Sequence, residues 1–542
     1  MSTGRGWREA AAVLAVGTLL TIVVAYPIAS NLGSVGRVND ADGQLSIWNV
    51  AWVARALVVN PAHVFDANIF YPHGSTLAFS ENNLGAGALA VPAYWATRNP
   101  YAAHNFVVLL AFVLSATGTY YLVRHLTGDR RAAAVSAICF GFCPFAFAHL
   151  AHIQLELTAG LPFTMLAFHR LVDRPSFGRG VALGSVMAAQ ALCCGYYGVF
   201  AILLVGYAVL VVATMRRLWS SAAFWHALAA GAIVAIALVL PAFMPYAAIQ
   251  RTTGFHRELD DARSFSANVS AYLASPTYAH AWMLRYLPPW REVVFPGFVA
   301  TLFGIAGMWL GRGARRGENV ALYGGGMLLA LWASFGPAAG LYTVLYRTVP
   351  VFSLIRAPER FGVVVDLCLA VLAGIGIAAF LARVRRAHLL AAVLVGVAFG
   401  ESLVPLEWPR ALPVEPVYRI LAAQPRGPVI EMPFYYPEVG LYQHAQYMLK
   451  STAHWMPLVN GYSDYIPADF LANVRTLAPF PSRDAFKILE PLHVRYAVFH
   501  MYGYNTENRT DVTTRLKEFE SYLRPLYVDD MLRLYEITGF PP

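Results

Sequence analysis

The chain has 542 residues, 58% of them hydrophobic and only 13% charged, against roughly a quarter charged in an ordinary soluble domain. With a mean hydropathy of +0.50, and apolar stretches of spanning length recurring from Trp7 to Val404, it is not a soluble enzyme. The net charge of +9 arises from 40 Lys and Arg against 31 Asp and Glu, but the arginines cluster in short loops between apolar runs, which marks membrane topology rather than nucleic-acid binding.

The first apolar run, Val13 to Ala29, follows Arg5 and Arg8, lacks a small-residue cleavage site and reads as a retained signal anchor. Hydropathy predicts about eleven spans, near residues 8–29, 101–123, 132–148, 157–171, 180–195, 197–214, 224–248, 294–310, 320–336, 361–381 and 388–404. With a cytoplasmic N-terminus, the inside loops carry Arg5/Arg8, Arg124/Arg130/Arg131, Arg170/Arg174/Arg179, Arg216/Arg217, Arg312/Arg315/Arg316 and Arg383/Arg385/Arg386. All are short and basic, as the positive-inside rule requires. An odd number of spans exports the C-terminal part, together with loops around 30–100, 149–156, 249–293 and 337–360.

Those exported loops hold Asp40, Asp42, Asp66, Glu81, Glu156, Glu258, Asp260, Asp261, Glu292 and Glu359, whereas the inside holds Glu9, Asp129, Asp173 and Glu318. Acidic residues contribute little to topology, so the imbalance has another origin. The polarity that long loops need accounts for many of them. It accounts less well for Asp40 and Asp42, in Asn39-Asp40-Ala41-Asp42-Gly43, just before a predicted helix Gln44–Val59. Leu45, Trp48, Trp52, Ala56 and Val59 recur there at helical spacing, a profile suited to the membrane interface, which would hold both carboxylates near headgroup level. A second, broken apolar segment runs from Leu84 to Ala96.

At the end of the third span, His149, His152 and Glu156 fall at i, i+3 and i+7, on one face of a continuous helix. Such a face suits a metal or a sugar, or is simply a polar helix end meeting water. Before the tenth span, Ser353-Leu354-Ile355-Arg356-Ala357-Pro358-Glu359-Arg360-Phe361 places two guanidiniums on the exported side, against the topological preference for arginine. A lipid headgroup or phosphate would match their forks, and so would a neighbouring carboxylate such as Glu359. The five cysteines, Cys139, Cys143, Cys193, Cys194 and Cys368, lie in apolar runs and read as packing residues.

From Pro405 the texture changes. A proline-spaced linker (Pro405, Pro409, Pro413, Pro416) leads into predicted strands at Val429–Pro433, Val494–Phe499 and Leu532–Ile537, and helices at Val439–Leu449, Ala468–Ala478 and Thr513–Leu523. The expected architecture is therefore an α-helical polytopic domain over 1–404 and a soluble α/β or α+β domain over 405–542. In the latter, His444, His454, Asn460, Tyr462 and Asp464 are candidates to line a binding surface. No P-loop, dinucleotide fingerprint, zincin helix or kinase signature occurs, and no internal repeat.

On Asp40-Ala41-Asp42, the helix that follows and the layout of residues 1–404, the chain resembles the GT-C superfamily of membrane glycosyltransferases. The segments NDADG, FDANIFYP, HLAHIQLE, LIRAPERF and LVNGYSDYIPADF are similar to a bacterial group of membrane proteins beside its Rgt/mannosyltransferase-like branch. The resemblance implies transfer of a sugar, with inversion, from a polyprenyl-phosphate carrier to an acceptor glycan, lipid or protein at the outer face of a bacterial plasma membrane. Its motif carries over to Asp40 and Asp42, one as general base and the other positioning the acceptor or holding Mg²⁺ or Mn²⁺. It implies that Arg356 and Arg360 bind the carrier phosphate and that Glu156, His149 and His152 flank the acceptor or sugar. The rival readings are a transporter or flippase of a lipid-linked saccharide, disfavoured by spans with few charges apart from Asp366, and a noncatalytic envelope assembly protein.

Overall fold

The computed structural model describes residues 3–289, 292–310 and 316–542; Arg312 and Arg315 of the basic loops lie outside them. The chain divides into two compact units, Met1–Asn31 with Phe106–Glu407, and Leu32–Asn105 with Trp408–Pro542. The first long loop therefore packs with the C-terminal part of the chain.

The first unit is helical because hydrocarbon offers backbone groups no partner other than one another. Among the described residues six helices are long and apolar enough to cross a membrane: Gly6–Val24, Pro100–Thr127, Arg130–Ala148, Gly195–Met215, Ala222–Thr253 and Pro358–Leu381. The expected eleven is corrected accordingly. The other five apolar runs form shorter helices, each cut by its own sequence. Helix Gly160–Asp173 is 14 residues long and ends on charged side chains, and Phe177–Cys193 stops where Cys194 becomes extended. Helix Phe298–Leu310 begins after Gly297, which has φ +91. A π segment, Val320–Gly324, precedes Gly325–Ser334, and Ala387–Glu401 spans 15 residues.

Helix Gly362–Leu381 is the hub, packing on Phe298–Leu310, Arg130–Gly141 and Gly325–Ser334. The span containing it is 89% buried, against 22% for Ala222–Thr253, which is peripheral. Small residues set a close crossing: a Cβ on Gly180 or Gly184 would collide with the Ala227 or Gly231 carbonyl of the facing helix. This G-x-x-x-G spacing lets two backbones meet where lipid supplies no hydrophobic drive.

The second unit contains a four-stranded sheet in the order β1-β2-β4-β3, with β1 Val429–Met432, β2 Tyr496–His500, β3 Leu523–Val528 and β4 Leu532–Ile537. Strands β1 and β2 are parallel and the other pairs antiparallel. Helices Pro416–Ala422, His444–Lys450, Ala468–Leu477, Arg483–Leu489 and Thr506–Glu518 accompany the sheet. The core joins Val417, Tyr418, Leu421, Val429, Met456, Leu458, Tyr496, Val498, Leu532 and Leu534.

The first loop supplies helices Ala41–Val59 and Leu84–Thr97 to the same unit. Trp48 and Trp52, expected between lipid and water, are instead core residues of this unit. Both are buried, and their indole N–H groups donate to Asn68 Oδ1 at 3.1 Å and Val64 O at 2.8 Å. Asn68 donates onward to Ser451 Oγ and Met456 O. Two of the distinctive sequence segments thus meet: Phe70 N–H donates to Asn460 O, the Phe70 and Phe470 rings pack edge-on at 5.0 Å, and Ser80 donates to Asp464 at 2.9 Å.

Candidate functional site

In the second unit Asp40 caps helix Ala41–Val59. Extended backbone at φ −134 and ψ 157 turns its Oδ1 onto the Gly43 N–H at 2.6 Å, and Arg37 lies 3.7 Å from Oδ2. Gly43 is required there, because a Cβ would strike the Arg37 carbonyl. Asp42 sits in the first turn, where the helix dipole favours a negative charge. Both carboxylates are half-exposed. Among the described residues no group of three or more His, Cys, Asp and Glu is arranged to hold a metal ion. Here Asp40 Oδ1 is already engaged, so a divalent ion on this pair would compete with the cap.

In the first unit the second candidate region gathers around residues 149–156 and 353–361. The expected continuous helix is broken: Pro144–Ala148 ends at His149, a turn follows, and Ile153–Glu156 restarts after His152. The single helical face expected for the three side chains is therefore corrected. His149 Nδ1 engages Phe145 O at 2.7 Å, which leaves Nε2 facing Glu292 at 3.5 Å. Burial would raise the Glu292 carboxyl, but the His149 contact, the Val293 N–H and the Arg360 charge outweigh it and hold it below its ordinary value. His152 is half-buried and its N–H donates to His149 O at 2.7 Å.

Glu156 is buried, and neither carboxylate oxygen has a hydrogen-bond partner among the described residues. Burial alone drives its pKa well above the ordinary carboxylate value. Tyr197, whose hydroxyl donates to Leu155 O at 3.0 Å, lies within electrostatic range of both Glu156 and Arg360. The Arg360 guanidinium sits 4.2 Å over the Tyr196 ring, and the Tyr196 hydroxyl accepts the Arg356 N–H at 3.1 Å. The Arg356 guanidinium lies 5.1 Å from the Phe265 ring. Glu359 is buried beside this pair, with Oε2 lacking a hydrogen-bond partner among the described residues.

The structure thus brings His149, Glu156, Arg356 and Arg360 into one neighbourhood; sequence reasoning missed its aromatic infill, Tyr196 and Tyr197, and counted Glu292 only among the exported carboxylates. Only position could have flagged them, since Tyr196 and Tyr197 interrupt an apolar run next to Cys194 and Gly195. In the tail, His444 and Asn460 form a buried pair at 3.0 Å rather than an open surface.

No protein-family model and no curated protein sequence matches the chain. Solved structures do. An arabinofuranosyltransferase, AftD, from Mycobacteria aligns at a TM-score of 0.59 and 15% identity over 98% of this chain and 40% of that one. An oligosaccharyltransferase from Archaeoglobus fulgidus aligns at 0.45 and 13% identity over 95% and 72% of the two chains, and ArnT from Cupriavidus metallidurans at 0.45 and 14% identity over the whole of both. The chain therefore spans less than half the length of the arabinofuranosyltransferase. At such identity the first likeness is one of fold: along nearly its whole length, this chain shares the fold of part of AftD.

Proposed function

We propose that the protein is an integral membrane glycosyltransferase of GT-C type that moves a sugar from a polyprenyl-phosphate donor to an extracytoplasmic acceptor. The observation that carries this reading is the fold likeness to AftD over 98% of the chain. The solvent-open carboxylates at the head of helix Ala41–Val59 add to it. On this reading the acceptor oxygen bonds to the anomeric carbon as the carbon–oxygen bond to the carrier phosphate breaks. The acceptor proton passes to Asp40 or Asp42, and the phosphate leaves with the bonding pair. A base placed in this way typically contributes about 10²–10⁴-fold.

Arg356 and Arg360 would bind the phosphate, whose charge grows as the bond breaks, so cations fixed on tyrosine and phenylalanine rings reward the transition state over the ground state. Glu156, His149 and His152 would face the sugar or acceptor. Mg²⁺ or Mn²⁺ at Asp40 and Asp42 would neutralise charge there, and activity surviving EDTA removes it from the scheme. The decisive assay is label transfer from polyprenyl-phosphate sugars to extracted membrane acceptors, by wild type and by the Asp40→Ala/Asp42→Ala variant. Transfer by the wild type alone is expected; equal transfer by both removes the first-loop carboxylates from the chemistry.

A further inference from the structure

The second unit holds a cationic cluster that the sugar-transfer reading does not use. Arg55 lies thirteen residues beyond Asp42 on helix Ala41–Val59, about 20 Å along its axis. It is half-buried, with its guanidinium 5.6 Å from the Trp455 ring. Arg98, just past helix Leu84–Thr97, lies 3.6 Å over the Trp95 ring. The two platforms are locked in place: Trp95 donates to Ala54 O at 3.1 Å and Trp455 to the Tyr94 hydroxyl at 3.2 Å. Arg426, exposed shortly before β1, is near enough to act electrostatically on both Arg55 and His454.

Among the described residues none of these three arginines has an ion-pair partner, and Arg55 feels two like charges. Burial, Arg426 and Arg98 together hold the Arg55 guanidinium below its ordinary pKa, despite the Tyr94 hydroxyl. His454 adds a donor. Its Nδ1 accepts the Met456 N–H at 3.0 Å, which fixes the neutral-ring proton on Nε2. That Nε2 is buried and has no acceptor among the described residues. Burial, and then Arg426, keep the ring neutral by pushing its pKa down to about 3. Arg98 and Trp455 both adopt left-handed backbone, at φ 54, a conformation that costs a non-glycine residue energy and is concentrated where function demands it.

Unpaired like charges beside a buried donor without an acceptor are costly until an anion arrives. We propose that Arg55, Arg98, Arg426 and His454 form a binding site for a phosphate-type oxyanion, presented either on a lipid headgroup or as free phosphate. Several guanidinium forks suit a tetrahedral oxyanion with several free oxygens better than a single carboxylate.

Full-length protein in detergent is titrated with inorganic phosphate while tryptophan fluorescence is followed, Trp95 and Trp455 being the reporters. In parallel, native mass spectrometry compares phosphatidylglycerol with phosphatidylcholine adducts. The Arg98→Gln/Arg426→Gln variant removes two exposed charges, and Arg98→Lys/Arg426→Lys keeps the charge without the fork. Should the double variant melt early, Arg426→Glu alone replaces it. A saturable phosphate response weakened about tenfold or more by the Gln pair, and less by the Lys pair, assigns the site to free phosphate. A silent phosphate titration with phosphatidylglycerol preferred by the wild type alone assigns it to the lipid. Responses unchanged by the substitutions, or no phosphate response together with equal lipid adducts, overturn the proposal. Neither readout involves sugar transfer.

Discussion

Asp40 accepts the Gly43 N–H at 2.6 Å, so replacing it probes a helix cap and a candidate base together. Asparagine caps about as well as aspartate but takes up no proton. Asp40→Asn is expected to keep the wild-type melting temperature and, if Asp40 is the base, to lose transfer by about 10²-fold or more. Asp40→Ala adds a stability loss of about 1 kcal/mol. Normal transfer by Asp40→Asn with none by Asp42→Asn assigns the base to Asp42. The buried acid gives a second test. Because burial raises the folded pKa of Glu156 above its unfolded value of 4.5, its contribution to stability is complete below pH 4.5 and falls as pH rises toward the folded pKa. The isosteric Glu156→Gln variant should therefore gain on the wild type by up to about 1.4 kcal/mol per pH unit above 4.5, as thermal melts at pH 5, 6 and 7 would record. The sequence exposed Asp40, Glu156 and Arg360 through charge in unexpected places. It misplaced Trp48 and Trp52 because periodicity reports an apolar face without saying whether lipid or protein covers it.

The crossing of helices Phe177–Cys193 and Ala222–Thr253 depends on Gly180 and Gly184, whose missing side chains admit the facing carbonyls. Gly184→Val should cost about 1–3 kcal/mol or more through overpacking, read as an earlier melt in detergent, whereas Gly206→Val, with open space around its Cβ position, should be nearly silent. At the carboxyl ends of β1 and β2, Glu431 and His500 form a second element-level device. His500 Nε2 lies 2.8 Å from Glu431 Oε2, Tyr418 donates to the same oxygen at 3.2 Å, and His500 Nδ1 meets the Tyr502 hydroxyl at 2.9 Å. Tyr502 in turn accepts from Lys450, which pairs with Glu415. Burial, only partly offset by Lys450 and Tyr418, raises Glu431 to about 8, while burial and Lys450 drive His500 well below its ordinary value.

The folded pair thus holds one proton up to about pH 8. The unfolded chain holds two below 4.5, one between 4.5 and 6.5, and none above. Stability is then level between 4.5 and 6.5, falls below 4.5, and falls by about 2 kcal/mol on going from 6.5 to 8. Faster hydrogen exchange of β2 amides at pH 8 than at pH 6 in the wild type, with the difference removed in Glu431→Gln, is the expected result. Strands β1, β2 and β4 were legible because apolar side chains dominate them. Strand β3 was not: the helix expected over Thr513–Leu523 runs into its first residue, and pairing with β4 makes Leu523–Val528 a strand.

Six long helices and eleven apolar runs predict different molecules, because an even number of crossings leaves both ends of the chain on one side and an odd number separates them. Ion pairs inside the first unit bear on this choice. Glu9 bonds Tyr120 at 2.8 Å and Arg130 at 2.5 Å, so the head of the first helix and the turn at 124–131 share one end of the unit. His125 lies 3.1 Å from Asp173, Arg216 3.1 Å from Asp173, and Arg216 2.6 Å from Glu318. The turns at 173, 216 and 318 therefore lie at that same end, although the helices leading to two of them, Gly160–Asp173 and Phe298–Leu310, fall short of a full span. All four acidic residues expected on the inside, Glu9, Asp129, Asp173 and Glu318, are paired with arginines of these basic turns, as charges gathered on one face would be. Beyond that end lie Gly325–Ser334, Pro358–Leu381 and Ala387–Glu401, of which Pro358–Leu381 alone is one of the six long helices. Single cysteines introduced at Arg385 and at Asp530, in a chain whose own cysteines are replaced by serine or alanine, separate the alternatives. A membrane-impermeant maleimide applied to intact cells should label position 530 at once and position 385 only after permeabilisation. Labelling of both positions, or of neither, before permeabilisation would mean that Ala387–Glu401 does not carry the chain across.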